Sequence, residues 1–235
     1  MRDQDNKNKY ADEFERIGCN NSPLYMGIEY GDARGNETTI FLVPGWKGSL
    51  YGENNKYFIM SKRLAEKYGV NVVCSSNPGT RSYDDYCDED VLLHEYYEVI
   101  KEKLPHTKKI RVMANSAGAL EVLYYSTDTD KDTGNLKYKN IEKIVFVNMP
   151  ISVRTLHKIY DAIDRIIAST TIEEVVFVYG EFDGSVDRVS LIKEYIADFG
   201  GDKIKIKIVP FADHKFSLTP GTFMTIPENY LLGGE

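Results

Sequence analysis

Ser116, Asp183 and His214 carry the residue types needed for nucleophilic catalysis, and each stands just past a run of β-forming residues. Ser116 lies in Ala114-Asn115-Ser116-Ala117-Gly118, between the strand-like Lys109-Ile110-Arg111-Val112-Met113 and the apolar Ala119-Leu120. A serine held on a tight corner between strand and helix is open to a substrate. Small neighbours let the backbone bend there, and the N–H groups of the new helix favour developing negative charge. Taken alone, the pentapeptide describes a helix-capping serine equally well. Asp183, in Tyr179-Gly180-Glu181-Phe182-Asp183-Gly184, and His214, in Phe211-Ala212-Asp213-His214-Lys215-Phe216, add an acid and a base. All three lie beyond strand carboxyl ends, where open α/β sheets bind ligands. A histidine that takes the serine proton and a carboxylate that orients the histidine make acyl transfer the chemistry in view.

Other candidates for these roles are Asp187, which suits the N-terminus of the following helix better, and Asp213, which adjoins the base. His94 and His106 fall on or just after a helical segment and read as surface residues. His157 lies in an amphipathic segment, Ser152 to Ile167, after the strand ending near Asn148. Its regular apolar spacing favours a helix packed on the sheet over an inserted cover.

The elements that must position these groups alternate along the chain. Strand-like runs occur at 24–30, 39–43, 71–75, 109–114, 143–148, 174–179 and 203–209, several of them continuously apolar, as in strands buried on both faces. Helical spacing intervenes at Tyr57, Ser61, Leu64 and Tyr68, at Leu93, Tyr96, Ile100 and Leu104, and over 116–125, 153–167 and 189–199. This alternation predicts an α/β fold, a mostly parallel central sheet with helices on both faces. Ile204-Lys205-Ile206-Lys207-Ile208 alternates, which places its lysines toward water near a sheet edge. Pro220 and Pro227 interrupt the C-terminal stretch and predict irregular packing or a subunit contact there.

The totals bound the function. A chain of 235 residues, 42% hydrophobic and 28% charged, fits a single domain over 1–235. A net charge of -7 argues against nucleic acid as a partner, since that binding needs concentrated positive surface. No apolar run reaches the length of a membrane span, and the charged segment Met1 to Arg16 lacks the apolar core of a signal peptide, so a cytoplasmic location is expected. The three cysteines, Cys19, Cys74 and Cys87, are widely spaced and read as reduced thiols. The sequons at Asn20 and Asn36 therefore carry no weight. Asp128, Asp130 and Asp132 suggest calcium, but Gly134 is one place late for an EF-hand loop and Lys139 stands where the closing glutamate is required.

Taken together, these segments resemble the α/β-hydrolase superfamily over about Leu24 to Phe216. Val43-Pro44-Gly45-Trp46-Lys47-Gly48-Ser49 resembles the family's oxyanion loop, with Pro44 in place of histidine. Asn77-Pro78-Gly79-Thr80-Arg81-Ser82 resembles its Pro-Gly-x-Gly-x-Ser turn, Gly180-Glu181-Phe182-Asp183 its acid turn, and Ala114 replaces the first glycine of its G-x-S-x-G elbow. The resemblance implies an α/β-hydrolase fold with a minimal lid and a Ser116-Asp183-His214 triad. It further implies an oxyanion hole from the N–H groups of Trp46 and Ala117, and a small-molecule acyl substrate, with no cofactor or metal. Cleavage of a carboxylic ester or thioester is the expected reaction. Amidase, peptidase or acyltransferase activity with the same triad, or a noncatalytic binding role, are the alternatives. Trp46, Tyr51, Phe182 and Phe216 neighbour the catalytic loops and are the candidate pocket walls. Nothing in the sequence specifies an oligomeric state.

Overall fold

The computed structural model describes residues 9–17, 23–31, 36–77, 92–130, 136–199 and 202–233. The turn after Asn77, the cysteines at 19 and 87, Asn20, Asp132 and Gly134 lie outside the described residues. The chain runs through β1 (Asp12–Ile17), β2 (Pro23–Glu29), β3 (Thr38–Val43), α1 (Lys56–Tyr68), β4 (Asn71–Ser75), α2 (Leu92–Lys103), β5 (Lys109–Asn115) and α3 (Ala117–Ser126). It continues through β6 (Ile141–Val147), α4 (Val153–Ala168), β7 (Glu174–Gly180), α5 (Val189–Phe199), β8 (Ile204–Val209) and α6 (Pro220–Leu231).

The eight strands form one sheet in the order β1-β2-β4-β3-β5-β6-β7-β8. From β4 to β8 all neighbours are parallel; β2 runs antiparallel to β4, and β1 antiparallel to β2. The period of two decides which side chains go where. On β5, Ile110, Val112 and Ala114 point to the layer of α2, α3, α4 and α5, while Met113 points to the layer of α1 and α6. β7 divides in the same way, Val175, Phe177 and Tyr179 against Val176 and Val178. Phe146 and Phe177, fully buried with ring centroids 5.1 Å apart, anchor the first layer, and truncating either to alanine costs about 3 to 5 kcal/mol.

Two elements differ from expectation. β1 adds an edge strand through a charged segment, pairing Phe14 with Met26 and Glu15 with Tyr25. The C-terminus forms the helix α6 in place of an irregular end. Pro220 occupies its first turn, where a missing N–H costs nothing. Pro227 gives up one internal hydrogen bond, and burial of Phe223, Ile226 and Leu231 against the sheet outweighs that loss. α4 is one amphipathic helix, opened by a capping box between Ser152 and Thr155 and buried along Ile159, Ala162, Ile163 and Ile166. It packs on the sheet beside α3 and α5, and His157 on it is exposed. β8 closes one edge with Lys205 and Lys207 exposed. Among the described residues no helix is long and apolar enough to cross a membrane.

Candidate active site

β5 carries the chain straight into a corner at Ser116, whose φ of 52° and ψ of −125° lie outside the regions a side chain favours. Such a conformation costs of order 1–3 kcal/mol and persists where the flanks determine it. Here the Ser116 N–H donates to the Val147 carbonyl (2.8 Å), and the Ser116 carbonyl accepts from the Ala119 N–H (2.9 Å). Ala117, the first residue of α3, has an N–H with no acceptor inside the helix.

The small residues around the corner admit a second segment. A Cβ on Gly118 would stand 2.3 Å from the Pro44 carbonyl oxygen, and one on Gly45 would stand 3.0 Å from the Ser116 Cβ. Pro44 and Gly45 therefore lie directly against the serine corner. Ala114, fully buried between Val43 and Phe146 in register, fills the glycine position of the elbow without crowding. Asn77, at the end of β4, holds the 44–48 segment: its N–H donates to the Gly48 carbonyl (2.7 Å) and its Nδ2 reaches the Pro44 carbonyl (3.4 Å). Trp46 on this segment is 51% exposed, with the Lys47 ammonium 4.7 Å from its ring centroid.

Asp183 and His214 arrive from the ends of β7 and β8. Asp183 is buried three residues past β7, and its Oδ1 accepts the Ser185 N–H at 2.7 Å. Its Oδ2 stands 2.5 Å from His214 Nδ1, and His214 Nε2 stands 2.9 Å from Ser116 Oγ. The carboxylate selects the tautomer with the proton on Nδ1, which leaves Nε2 to accept the serine O–H. His214 is half exposed and Ser116 is accessible beside it, so a ligand can reach the pair from solvent. Below the acid, burial first and the Asp183 carboxylate second push the Tyr179 phenol up, keeping it neutral.

The rival groups are turned elsewhere. Asp187 is exposed in a short helical turn before α5. Asp213 accepts the Ser217 N–H at 2.7 Å, and the backbone donors of its own loop hold its carboxyl below the usual range. His94 and His106 are exposed. Of the four candidate walls, Trp46 and Phe182 stand exposed beside the site, Phe182 at 59%. The other two pack against neighbouring elements. Tyr51 hydrogen-bonds Glu13 and packs on Tyr10 and Phe58, since β1 gives its ring a partner there. Phe216 is 1% exposed because α6 covers it, with Phe223 at 5.5 Å. Its buried ring backs a groove of about 510 Å³ between α1 and α6 that also includes Lys56 and Lys215. Burial lowers the Lys56 ammonium pKa, and Lys215 adds to that effect. Among the described residues no cluster of His, Cys, Asp and Glu is arranged to hold a metal ion.

Two residues at the site escaped the sequence reading of roles: Ser185, whose N–H steadies Asp183, and Asn148, buried just beyond β6. Asn148 had a readable signal, a polar residue directly after the apolar run Ile144-Val145-Phe146-Val147.

No protein-family model matches the chain, and no curated protein matches it in sequence. Solved structures do match in shape. A Pyrococcus furiosus esterase superposes with a TM-score of 0.64 at 16% identity, covering 94% of this chain and 92% of that one. An α/β serine hydrolase homologue from Coxiella burnetii gives 0.64 at 16% identity, over 92% and 95% of the two chains. A Xanthomonas campestris protein described as an α/β serine hydrolase without a lid gives 0.64 at 13%, over 93% of each. The strand order, the strained serine corner and these likenesses together establish that the chain has the α/β-hydrolase fold.

Proposed function

We propose that this protein is a serine hydrolase that cleaves a carboxylic ester or thioester through an acyl-enzyme intermediate. The observation that carries the reading is the continuous line from Ser116 Oγ through His214 to the buried Asp183, with contacts of 2.9 and 2.5 Å. Ser116 Oγ attacks the substrate carbonyl carbon while its proton passes to His214 Nε2. Asp183 accepts the Nδ1–H and stabilises the imidazolium that forms. The N–H groups of Ala117 and Trp46 are assigned to the oxyanion, where each donor contributes about 3 kcal/mol. The imidazolium then protonates the leaving alcohol or thiol as the C–O or C–S bond breaks. Water, deprotonated by His214, releases the acid and restores the serine.

Support comes also from the surroundings. Phe182, Phe211 and Leu218, all exposed, follow the carboxyl ends of β7 and β8, and the exposed Trp46 and Val153 follow those of β3 and β6. α4 packs beside α3 and α5 with its apolar face in the core, so it does not serve as a cover over Ser116. An open site with apolar residues nearby suits a small-molecule acyl substrate. The names of the structural neighbours, an esterase and serine hydrolases, point the same way. Neither a metal nor an organic cofactor enters the reaction.

The test is labelling of the purified protein with a fluorophosphonate, for wild type, Ser116→Ala and His214→Ala, followed by an ester, thioester and amide panel. Stoichiometric labelling lost in both variants, with ester or thioester turnover, is expected. Folded wild type that takes no label and turns over no substrate in the panel overturns the reading in favour of a binding role.

A further inference from the structure

Asn148 is fully buried and stands directly after β6, on a strand that carries none of the three groups assigned to catalysis. Its backbone is in the left-handed region, with φ of 46°, a region asparagine tolerates better than other side chains. Its N–H donates to the Val178 carbonyl on β7 at 2.8 Å. The side-chain amide is used at both ends. Oδ1 accepts the Gly180 N–H at 2.8 Å, at the start of the turn that delivers Asp183. Nδ2 donates to the His214 carbonyl at 2.8 Å and to the Asp213 carbonyl at 3.2 Å.

One planar group thus spans the acid turn and the base loop and grips the backbone of His214 itself. The two loops also approach each other closely. The Phe182 N–H donates to the Ala212 carbonyl at 2.8 Å, and a Cβ on Gly180 would stand 2.4 Å from that same carbonyl oxygen. These contacts hold the roots of the loops. They do not set how far the His214 backbone stands from β6, and therefore from Ser116 just past the adjoining β5. The Asn148 amide spans that interval.

We propose that Asn148 is a positioning residue that sets the distance of the His214 imidazole from Asp183 and Ser116 by fixing the His214 carbonyl to the end of β6. The inference rests on the reading of Ser116, Asp183 and His214 as a catalytic group. It also explains why a buried asparagine follows the apolar end of β6, Ile144 to Val147. A buried amide with partners at both ends costs little, whereas the same amide with an unmet donor or acceptor is destabilising, so the site demands its partners.

Asn148→Asp retains the shape and the acceptor for Gly180 but replaces the donor with an oxygen facing two carbonyls. Asn148→Gly removes the amide while accepting the left-handed backbone, and remains readable if the aspartate variant does not fold. Both are compared with wild type in the rate of fluorophosphonate labelling at Ser116, in kcat and KM for an ester turned over by wild type, and in thermal unfolding. Expected is a fall of about 10- to 100-fold in labelling rate and kcat, the loss that a misplacement of about 1 Å produces, with KM changed less than about twofold. In the Asp183→Asn background the same substitutions are expected to have little further effect on kcat, because the pairing they disturb is already lost. The downfield proton resonance of the His214 Nδ1–H, present in wild type, is expected to disappear in the folded variants. Folded variants that keep the wild-type labelling rate and that resonance overturn the proposal, as do losses that simply multiply with that of Asp183→Asn. Wild type that takes no label and turns over no ester instead sinks the functional reading. The resonance then still decides whether Asn148 positions His214.

Discussion

The Cβ that Gly118 lacks would stand 2.3 Å from the carbonyl oxygen of Pro44, so the first turn of α3 and the segment after β3 touch backbone to backbone beside Ser116. Gly221, in the first turn of α6, has nothing within 4 Å of the corresponding position. The same substitution at the two sites is therefore expected to have opposite signs. Gly118→Ala gains the usual helix preference of about 1 kcal/mol but forces the 44–48 segment away, for a net loss of about 1–2 kcal/mol. Gly221→Ala is expected to stabilise by about 0.5–1 kcal/mol. Denaturant unfolding measures both. Labelling of Ser116 should slow in the first variant alone, and equal effects in the two variants refute the close-approach account.

Ser116 stores strain at its corner, and alanine would inherit that strain because its Cβ suffers the same clash. Glycine would release it. Ser116→Gly is expected to be more stable than Ser116→Ala by about 1 kcal/mol, even though glycine carries more entropy in the unfolded chain. Both variants lack the Ser116 hydroxyl, so the comparison isolates backbone energy from chemistry. A more stable alanine variant in thermal and denaturant unfolding contradicts the strain.

Asp183→Asn is the sharpest test of the acid's role. An amide in place of the carboxylate can offer its N–H to Nδ1, which turns the imidazole to the tautomer whose Nε2 carries the proton. That nitrogen can no longer accept the Ser116 proton. The expected result is a loss of about 10⁴ in kcat with the fold retained. A loss below about tenfold would reassign the acid and return attention to Asp187 or Asp213.

Far from the site, Glu142 on β6 joins Lys109 (2.6 Å) and Arg111 (2.8 Å) of β5, and Arg111 also donates to the Leu231 carbonyl of α6. Burial alone would raise the Glu142 carboxyl pKa, but the hydrogen bonds and charges of Lys109 and Arg111 outweigh it and hold the group below its ordinary value. A carboxyl depressed in the folded state contributes stability above its unfolded pKa and loses that contribution as pH falls through the folded value. Glu142→Gln is expected to destabilise the protein near neutral pH, and the gap from wild type should close as acidification carries the pH below the ordinary carboxylate range. A gap independent of pH in urea titrations argues against the ionic origin.

The sequence by itself determined the alternation of strands and helices from β2 to β8, the outward lysines of β8, and the order in which serine, acid and base arrive. Those follow from local periodicity and from small residues at corners, which act over a few positions. It also separated Asp183 from Asp213 in part, since Asp213 adjoins the base in the chain. The tertiary structure decided what depends on distant partners. Ser116 and His214 are 98 positions apart, and strand packing alone brings their side chains within 2.9 Å. Tyr51 turned to Glu13 because β1 pairs beside it, and Phe216 became core because α6 forms over it despite Pro227. Burial against the sheet overrode the local helix penalty there, an outcome that single-residue preference cannot foretell. Asn148 belongs to the same class: asparagine ends many strands, and only the closure of β6, β7 and the His214 loop gives its amide three backbone partners.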